Sequence, residues 1–489
     1  MSPRWTLAVA LQASLATAAG VEVVKTFPVF TGPNPSSAGT SSADMMGGVS
    51  SRHLVGFING AFEVRRKSDG GLVQPPLTQR EFWTAAFRNV GRTIEGNPYD
   101  PRIFWDPMTK RWFASSNSMD LEAGPSGSRM SSRIFFAVSQ DDDPTHPWKA
   151  VMHICPMAVD NAKLGLDRNG VYSTALTGGP GDTRAVVPII AIPKADLLWK
   201  GDGAPSLEHA NTFAVDGGGR LSDRKYAGVE GMVPAFDLDP KKKPGDPVVY
   251  VNRYRKEVDG ETMLQIRRVS WTSPTKAALS EPVEIGLTQH YSVQPTSTGV
   301  QPPLPQPGLV SPGIRAGEAR IVNAVVRGGS LWTVAAAQMG ARTGAFWVQV
   351  DLATDKLVQH GTLSDPEGDL LFPSINVDGK GNVGIGMSRT SATEHLSVYV
   401  TGRAPSDPPH TLRPLVRAVK GIAVHYRKDM DLTKPSNTSW SDYSTVVVDP
   451  SDPTLFWTYQ EATTNETWPP DKADRFGTHW VAWRVGAAK

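Results

Sequence analysis

The sequence predicts an all-β protein: a single seven-bladed β-propeller of four-stranded blades. Three observations predict it. A strand–turn–strand motif occurs seven times, each copy is followed by room for two further strands, and the composition favours turns and aromatic strands over helices. The clearest copy, DPRIFWDPMTKRWFASS from Asp100 to Ser116, reads as an apolar strand, a turn on Asp106-Pro107 and a second strand from Arg111. FPSINVDGKGNVGIGMS from Phe372 and YSTVVVDPSDPTLFWTYQ from Tyr443 have the same form.

Anchoring on the turn residue recovers four weaker copies, so that Ser50, Asp106, Asp167, Asp239, Arg327, Asp378 and Asp449 occupy equivalent positions. Their spacings run from 51 residues (327 to 378) to 88 (239 to 327), longer than a compact blade because outer strands and loops vary. Asp-Pro and Asp-x-x-Gly supply the turn chemistry that short hairpins need. The rival architecture, two β-sandwich domains, wants a linker, and no Pro/Gly/Ser stretch divides the chain cleanly. The Pro- and Gly-rich segment Ser292–Ala316 falls between the fourth and fifth copies and reads as a long loop over one face.

Composition agrees with this architecture. Among 489 residues there are 46 Gly, 40 Pro and 14 Trp, and only 20% are charged, unlike a helical bundle. A net charge of +2 with no basic block beyond Lys241-Lys242-Lys243 speaks against a nucleic-acid partner. No stretch approaches the ~20 apolar residues of a membrane-spanning helix. Residues 1–19 read as a signal peptide, with Arg4, an apolar run from Leu7 to Ala16 and small residues at Ala16, Ala18 and Ala19; the alternative is an N-terminal strand or helix of the mature protein. The propeller domain then covers 20–489, and the expected location is the secretory pathway or outside the cell. Asn437 and Asn465 stand in glycosylation sequons. Cys155, the only cysteine, can form no internal disulfide and lies in an apolar stretch, as a buried inert thiol does.

The first strand of each propeller blade lines the central channel, with side chains alternating along it. Counting the turn residue as zero, position −4 holds Met46, Arg102, Lys163, Ala235, Asn323, Ser374 and Thr445, and position −6 holds Asp44, Asp100, Asn161, Val233, Ile321, Phe372 and Tyr443. Both positions are taken to face inward; the opposite parity would turn every one of them outward. The ring is uneven. One arc is charged (Asp44, Asp100, Arg102, Asn161, Lys163), and the opposite arc is apolar (Val233, Ile321, Phe372, Tyr443), with Met46 closing the circle and Trp440 just above. An apolar wall with a few convergent polar groups suits a small-molecule partner. The alternative is that Asp100–Arg102 and Asp44–Lys163 are structural ion pairs sealing a water-filled channel.

The histidines lack metal-binding spacing, one cysteine gives no thiolate zinc site, and GGPGDT (178–183) lacks the Lys-Ser/Thr of a phosphate loop, so neither metal nor cofactor is expected. Acid–base or electrostatic chemistry remains. Arg102 or Lys163 would hold an anionic oxygen, Asp100 or Asp44 would move a proton, and Tyr443 would donate one. His290 and Tyr291, at the start of the long loop, form a second candidate acid–base pair at the mouth, or are merely solvated.

The segments ADMMGGVSSRHLVGFING, DPRIFWDPMTKRW, FPSINVD, WSDYSTVVVD and FGTHW resemble the motifs of a broad group of secreted seven-bladed propellers, a likeness that implies the fold and no single activity. Met45, Met46 and Ser50-Ser51 depart from that group's opening motif, and the two methionines make the funnel greasier. The DPR strand is similar to those of sialidase-type propellers and propeller polysaccharide lyases, which implies carboxylate recognition by Arg102, although the sialidase arginine triad is absent from the ring. In length, leader and sequons the chain also resembles the fungal hetero-Diels–Alderases of tropolone–sesquiterpenoid pathways. That resemblance implies dehydration to a quinone-methide-like tropolone and cycloaddition to a terpene alkene, with the apolar arc positioning the hydrocarbon. Three functions therefore stand: a cofactor-free cyclase, a carbohydrate lyase or hydrolase, and a non-catalytic ligand-binding propeller.

Overall fold

Each predicted turn closes a hairpin in the computed structural model. It describes residues 17–18, 20–28, 43–94, 96–124, 127–155, 158–178, 186–216, 232–255, 262–287, 304–314, 321–425, 437–438, 440–464 and 476–486. The seven innermost strands are Met46–Val49, Asn97–Asp106, Ala158–Leu166, Val233–Pro234, Ile321–Arg327, Asp369–Val377 and Thr445–Val448, each antiparallel to the strand that follows it. Further strands complete seven sheets, so the protein is a seven-bladed propeller of four-stranded antiparallel blades. We call the end where the innermost strands begin the leading face, and the end where they turn back the turn face.

The turn residues show why this pattern is repeated. Met108, Asn169, Lys241, Lys380 and Ser451 each donate their backbone N–H to the aspartate two positions earlier, at 2.7–3.0 Å, and Arg52 donates likewise to the Ser50 hydroxyl at 3.2 Å. This side-chain mimic of a turn favours aspartate. The exception explains itself: after Arg327, Gly328 and Gly329 both have positive φ (61° and 76°), the two-residue turn that needs no side-chain cap.

The same aspartates tie one blade to the next. Asp106 of blade 2 meets Lys194 of blade 3 at 2.8 Å, Asp167 of blade 3 meets Lys242 before the second strand of blade 4 at 2.9 Å, and Asp449 of blade 7 meets Lys67 of blade 1 at 2.8 Å. Asp239 accepts the Gly328 N–H from blade 5, and the Arg327 Nε donates to the Val377 carbonyl of blade 6 at 3.3 Å. Between these ties the blades bury apolar faces, with Trp83, Trp112, Trp347, Trp457, Trp480 and Trp483 among the largest fully buried side chains. Close approach requires glycine at Gly47 and Gly48, where a Cβ would come within 2.6 Å of the Trp480 ring and 2.7 Å of Trp112.

Blade 7 is closed by the chain's beginning. Val21–Pro28 pairs antiparallel with Phe476–Val485 as the outer strand of the last blade, from Val21 opposite Val485 to Pro28 opposite His479. Thr17–Ala18 folds back on Val21–Glu22, and the rest of the predicted leader lies outside the described residues. Among the described residues, two larger features stand outside the blades, besides the single helical turn Lys194–Leu197. Helix Gln79–Arg88, started by a Thr78/Glu81 capping box, buries Phe82, Trp83, Ala86 and Phe87. A small sheet of Leu304–Gln306, Leu309–Ile314 and Asn437–Thr438 places Leu304 and Ile314 against Leu371, Phe372 and Trp440.

Lys194 and Asp106 are both fully buried, so Lys194→Met strands a carboxylate. The expected loss is about 3–5 kcal/mol in urea unfolding. Arg52→Ala, which removes an exposed pair with Asp142, loses less than about 1 kcal/mol.

Candidate active site

The leading face departs from simple strand alternation. In four blades the innermost strand slips register between positions −7 and −4: at Tyr99/Arg102, Asp160/Lys163, Ile321/Asn323 and Leu371/Ser374. These bulges re-aim the side chains on either side. Asp44, Asp100, Asn161 and Phe372, all at −6, have φ between 48° and 51°. Aspartate and asparagine tolerate this left-handed backbone, whereas for phenylalanine it is strained, and strain of this kind clusters at functional sites.

Held this way, the polar arc forms one buried network. Asp44 accepts hydrogen bonds from Asn59 Nδ2 (2.7 Å) and the Asp442 N–H (2.8 Å). Asp100 accepts from Asn117 Nδ2 (3.0 Å) and the Asn161 N–H (2.8 Å), and its own N–H donates to Asn59 Oδ1 (2.8 Å). The Asp44 carboxyl adjoins that of Asp100. Burial, aided by the charges of Asp160 and Asp442, pushes Asp100 up to about 6. A second acid, Glu461, lies near Asp44 with neither carboxyl oxygen hydrogen-bonded, and burial followed by the Asp44 charge holds its pKa well above the usual range.

The cations sit beside this pair. Arg102 donates to Asn161 Oδ1 (2.8 Å) and the Ala162 carbonyl (3.1 Å), with its guanidinium 3.3 Å from the centroid of the Tyr443 ring. The Asp100–Arg102 ion pair weighed from the sequence does not form. Lys163 hydrogen-bonds Asn161 Oδ1 as well. Tyr443 donates its hydroxyl to the Pro101 carbonyl at 3.1 Å, and burial raises its pKa far above that of a free phenol.

On the apolar side Phe372 packs with Trp440, whose Nε1 donates to Ser388 at 3.3 Å. Val233 and Ile321 lie together in the core between blades 4 and 5, and Met46 packs with Tyr443 between blades 1 and 2. Asn323 ties blade 5 to the Ile375 backbone, and the Ser374 hydroxyl is buried without a partner. His290, Tyr291 and Asn465 lie outside the described residues; Asn437 lies in the short strand opposite Gly313.

The channel itself is nearly filled. Met46, Arg102, Lys163, Asn323 and Thr445 line a space of only about 30 Å³, room for about one water. Below it Phe104 of blade 2 stacks on Phe236 of blade 4, ring centroids 4.7 Å apart. Sequence reasoning missed Phe236, which leaves its own blade: its N–H donates to Ala324 O (2.8 Å) and its carbonyl accepts from the Val326 N–H (3.0 Å) in blade 5. It also missed Asn59, Asn117 and Glu461, which lie on second strands or in turns and carry no repeat signal; Asp442 could have been found in WSDYS. Cys155 is buried, which pushes its thiol up to about 12, and among the described residues no cluster of three or more His, Cys, Asp or Glu could hold a metal ion.

No known protein family matches the chain, and neither does any curated protein. Among solved structures it is similar to the Dos1 propeller (7% identity, TM-score 0.39, 95% of each chain covered) and to the extracellular domains 1–2 of Drosophila Semaphorin 1b (8%, 0.40, 95% of this chain and 87% of that one). It is also similar to the α-L-arabinofuranosidase Arb93A of Fusarium graminearum (9%, 0.38, 77% and 91%). These likenesses assign no activity.

Glu461 yields a pH prediction. Above pH 4.5 the unfolded chain ionises this glutamate while the folded protein keeps it protonated, so its contribution to stability falls as pH rises. Glu461→Gln removes that loss. The variant is expected to melt higher than the wild type near pH 8, with the gain shrinking towards pH 4, in paired thermal scans.

Proposed function

We propose that the protein is a cofactor-independent enzyme that moves a proton on a small, largely apolar molecule at the leading-face mouth of the channel. The observation that carries this reading is the buried Asp44–Asp100 pair. Burial favours the protonated form of Asp100, so it can give a proton to a leaving hydroxyl while the adjoining Asp44 carboxylate takes one from elsewhere on the substrate. Asn59 and Asn117 fix the orientation of the pair, and Phe372 and Trp440 supply an apolar wall.

In its sharper form the reaction is a dehydration followed by a hetero-Diels–Alder closure. Protonation of a hydroxymethyl group on a tropolone breaks its C–O bond and releases water, while the ring hydroxyl gives its proton to the carboxylate. A neutral quinone-methide-like heterodiene remains. A terpene alkene then adds across it, forming one C–O and one C–C bond with no change in oxidation level. Catalysis of the second step is positioning and exclusion of water.

The carbohydrate reading has weaker support. Hydrolytic carboxyl pairs stand about 5 Å or more apart to flank a glycosidic bond, whereas the Asp44 and Asp100 carboxyls adjoin. The Arg102 guanidinium is also engaged by Asn161, Ala162 and Tyr443.

With a hydroxymethyl tropolone and a cyclic terpene alkene as substrates, Asp100→Asn is expected to lower kcat by roughly 10²–10⁴-fold, the range of general acid–base catalysis. Phe372→Ala should chiefly raise KM for the alkene. The rate should fall as pH rises past about 6, where Asp100 gives up its proton. An Asp100→Asn enzyme of wild-type rate, or turnover of a polyuronate instead, overturns the reading.

A further inference from the structure

The turn face carries a second cavity, separated from the leading face by the Phe104–Phe236 stack, and we propose that it binds an apolar organic acid: a hydrocarbon body of about ten carbons bearing one carboxylate. On the axis a largely apolar depression of about 220 Å³ is lined by Phe104, Trp105, Phe236, Leu238, Val325 and Val447, and also by Asn376 and by Asp449, whose carboxylate is held by Lys67 and Trp457. An apolar cavity of ~150 Å³ is known to hold benzene, so this one suits a two-ring body. It opens sideways, across the shared residues Arg327 and Val377, into a groove of about 880 Å³ beside blades 5 and 6.

The charge of that groove selects the head group. Its three carboxylates are already satisfied by their own surroundings. Asp239 accepts from the N–H groups of Lys241 and Gly328, Asp378 accepts from those of Lys380 and Asn382, and Asp407 is held by Arg413 through two bonds at 2.7 and 2.9 Å. Its cations are less engaged. Arg327 spends only Nε, on the Val377 carbonyl, and Lys241 and Lys380 are exposed. Arg403 is 3% exposed, and its guanidinium donates through Nη2 to the Asp407 carbonyl at 3.0 Å. The Nη groups of Arg327 are therefore the donors left for a ligand carboxylate, which pairs with a guanidinium through charge-assisted bonds. Arg327 stands where the apolar depression meets the groove, so a body seated on the axis presents its acid to Arg327.

This inference does not depend on the leading-face chemistry. The test is calorimetric titration of the full chain with 2-naphthoic acid and with its neutral counterpart, 2-naphthalenemethanol. Binding of the acid should exceed that of the alcohol by about tenfold or more, as expected when a charged hydrogen-bonded pair is lost. Arg327→Gln should erase that preference, and Val447→Phe and Val325→Phe, which fill the depression from two different blades, should each abolish binding of both compounds. Equal affinity for acid and alcohol, no binding of either, or full binding to a folded cavity-filling variant overturns the proposal. The acid–alcohol comparison on the unaltered protein decides even if neither filled variant folds.

Discussion

The ring depends on one recurring interaction, an aspartate at the end of an innermost strand that does two jobs with two oxygens. One oxygen accepts a backbone N–H two residues on and closes its own hairpin; the other reaches a neighbouring blade, as Asp106 reaches Lys194 and Asp167 reaches Lys242. Local turn chemistry and ring closure are thereby made by the same side chain. The lysines are taken out of water to do this, which is affordable only because each meets a carboxylate already fixed by its turn. Where the aspartate is replaced by Arg327, two glycines make the turn and the arginine supplies the inter-blade bond instead.

That double role is why the architecture was legible in the sequence. Aspartate followed by a polar turn and an apolar strand is a local signal, and it survived insertions that pushed the copies as much as 88 residues apart (239 to 327). The site was only partly legible. Counting by twos assumes an unbroken strand, and the bulges before Arg102, Lys163, Asn323 and Ser374 break it. Nothing in DPR or FPS announces a bulge, because Asp100 and Phe372 adopt positive φ without the glycine that usually marks one. Phe236 was hidden for a related reason: beyond Ala235, whose N–H still donates to Val249 of its own blade, the chain turns to its neighbours, Phe236 bonding Ala324 and Asp237 bonding Leu166, which is a matter of tertiary contacts and not of local sequence.

The bulges also account for the character of the leading face. A regular strand would direct the acids of three successive blades to separate places around the axis. The left-handed turns at Asp44, Asp100 and Asn161 gather their polar groups into a single network bridged by Asn59 and Asn117. With Arg102 laid over Tyr443 and the two phenylalanines stacked beneath, the axis is a partition and not a pore, and the two faces of the disc become chemically independent.

The pairing of Val21 with Val485 sets a schedule for biogenesis. Strand Val21–Pro28 leaves the ribosome 464 residues (21 to 485) before its partner is complete, and at ~5–20 residues per second the delay between them is on the order of a minute. Throughout that interval an amphipathic segment stands with an unpaired backbone edge, the condition that invites strand exchange with other chains. Ring closure through this pair must therefore wait until residues 476–485 have been made, and a factor that shields strand Val21–Pro28 in the interval would raise the yield of folded protein.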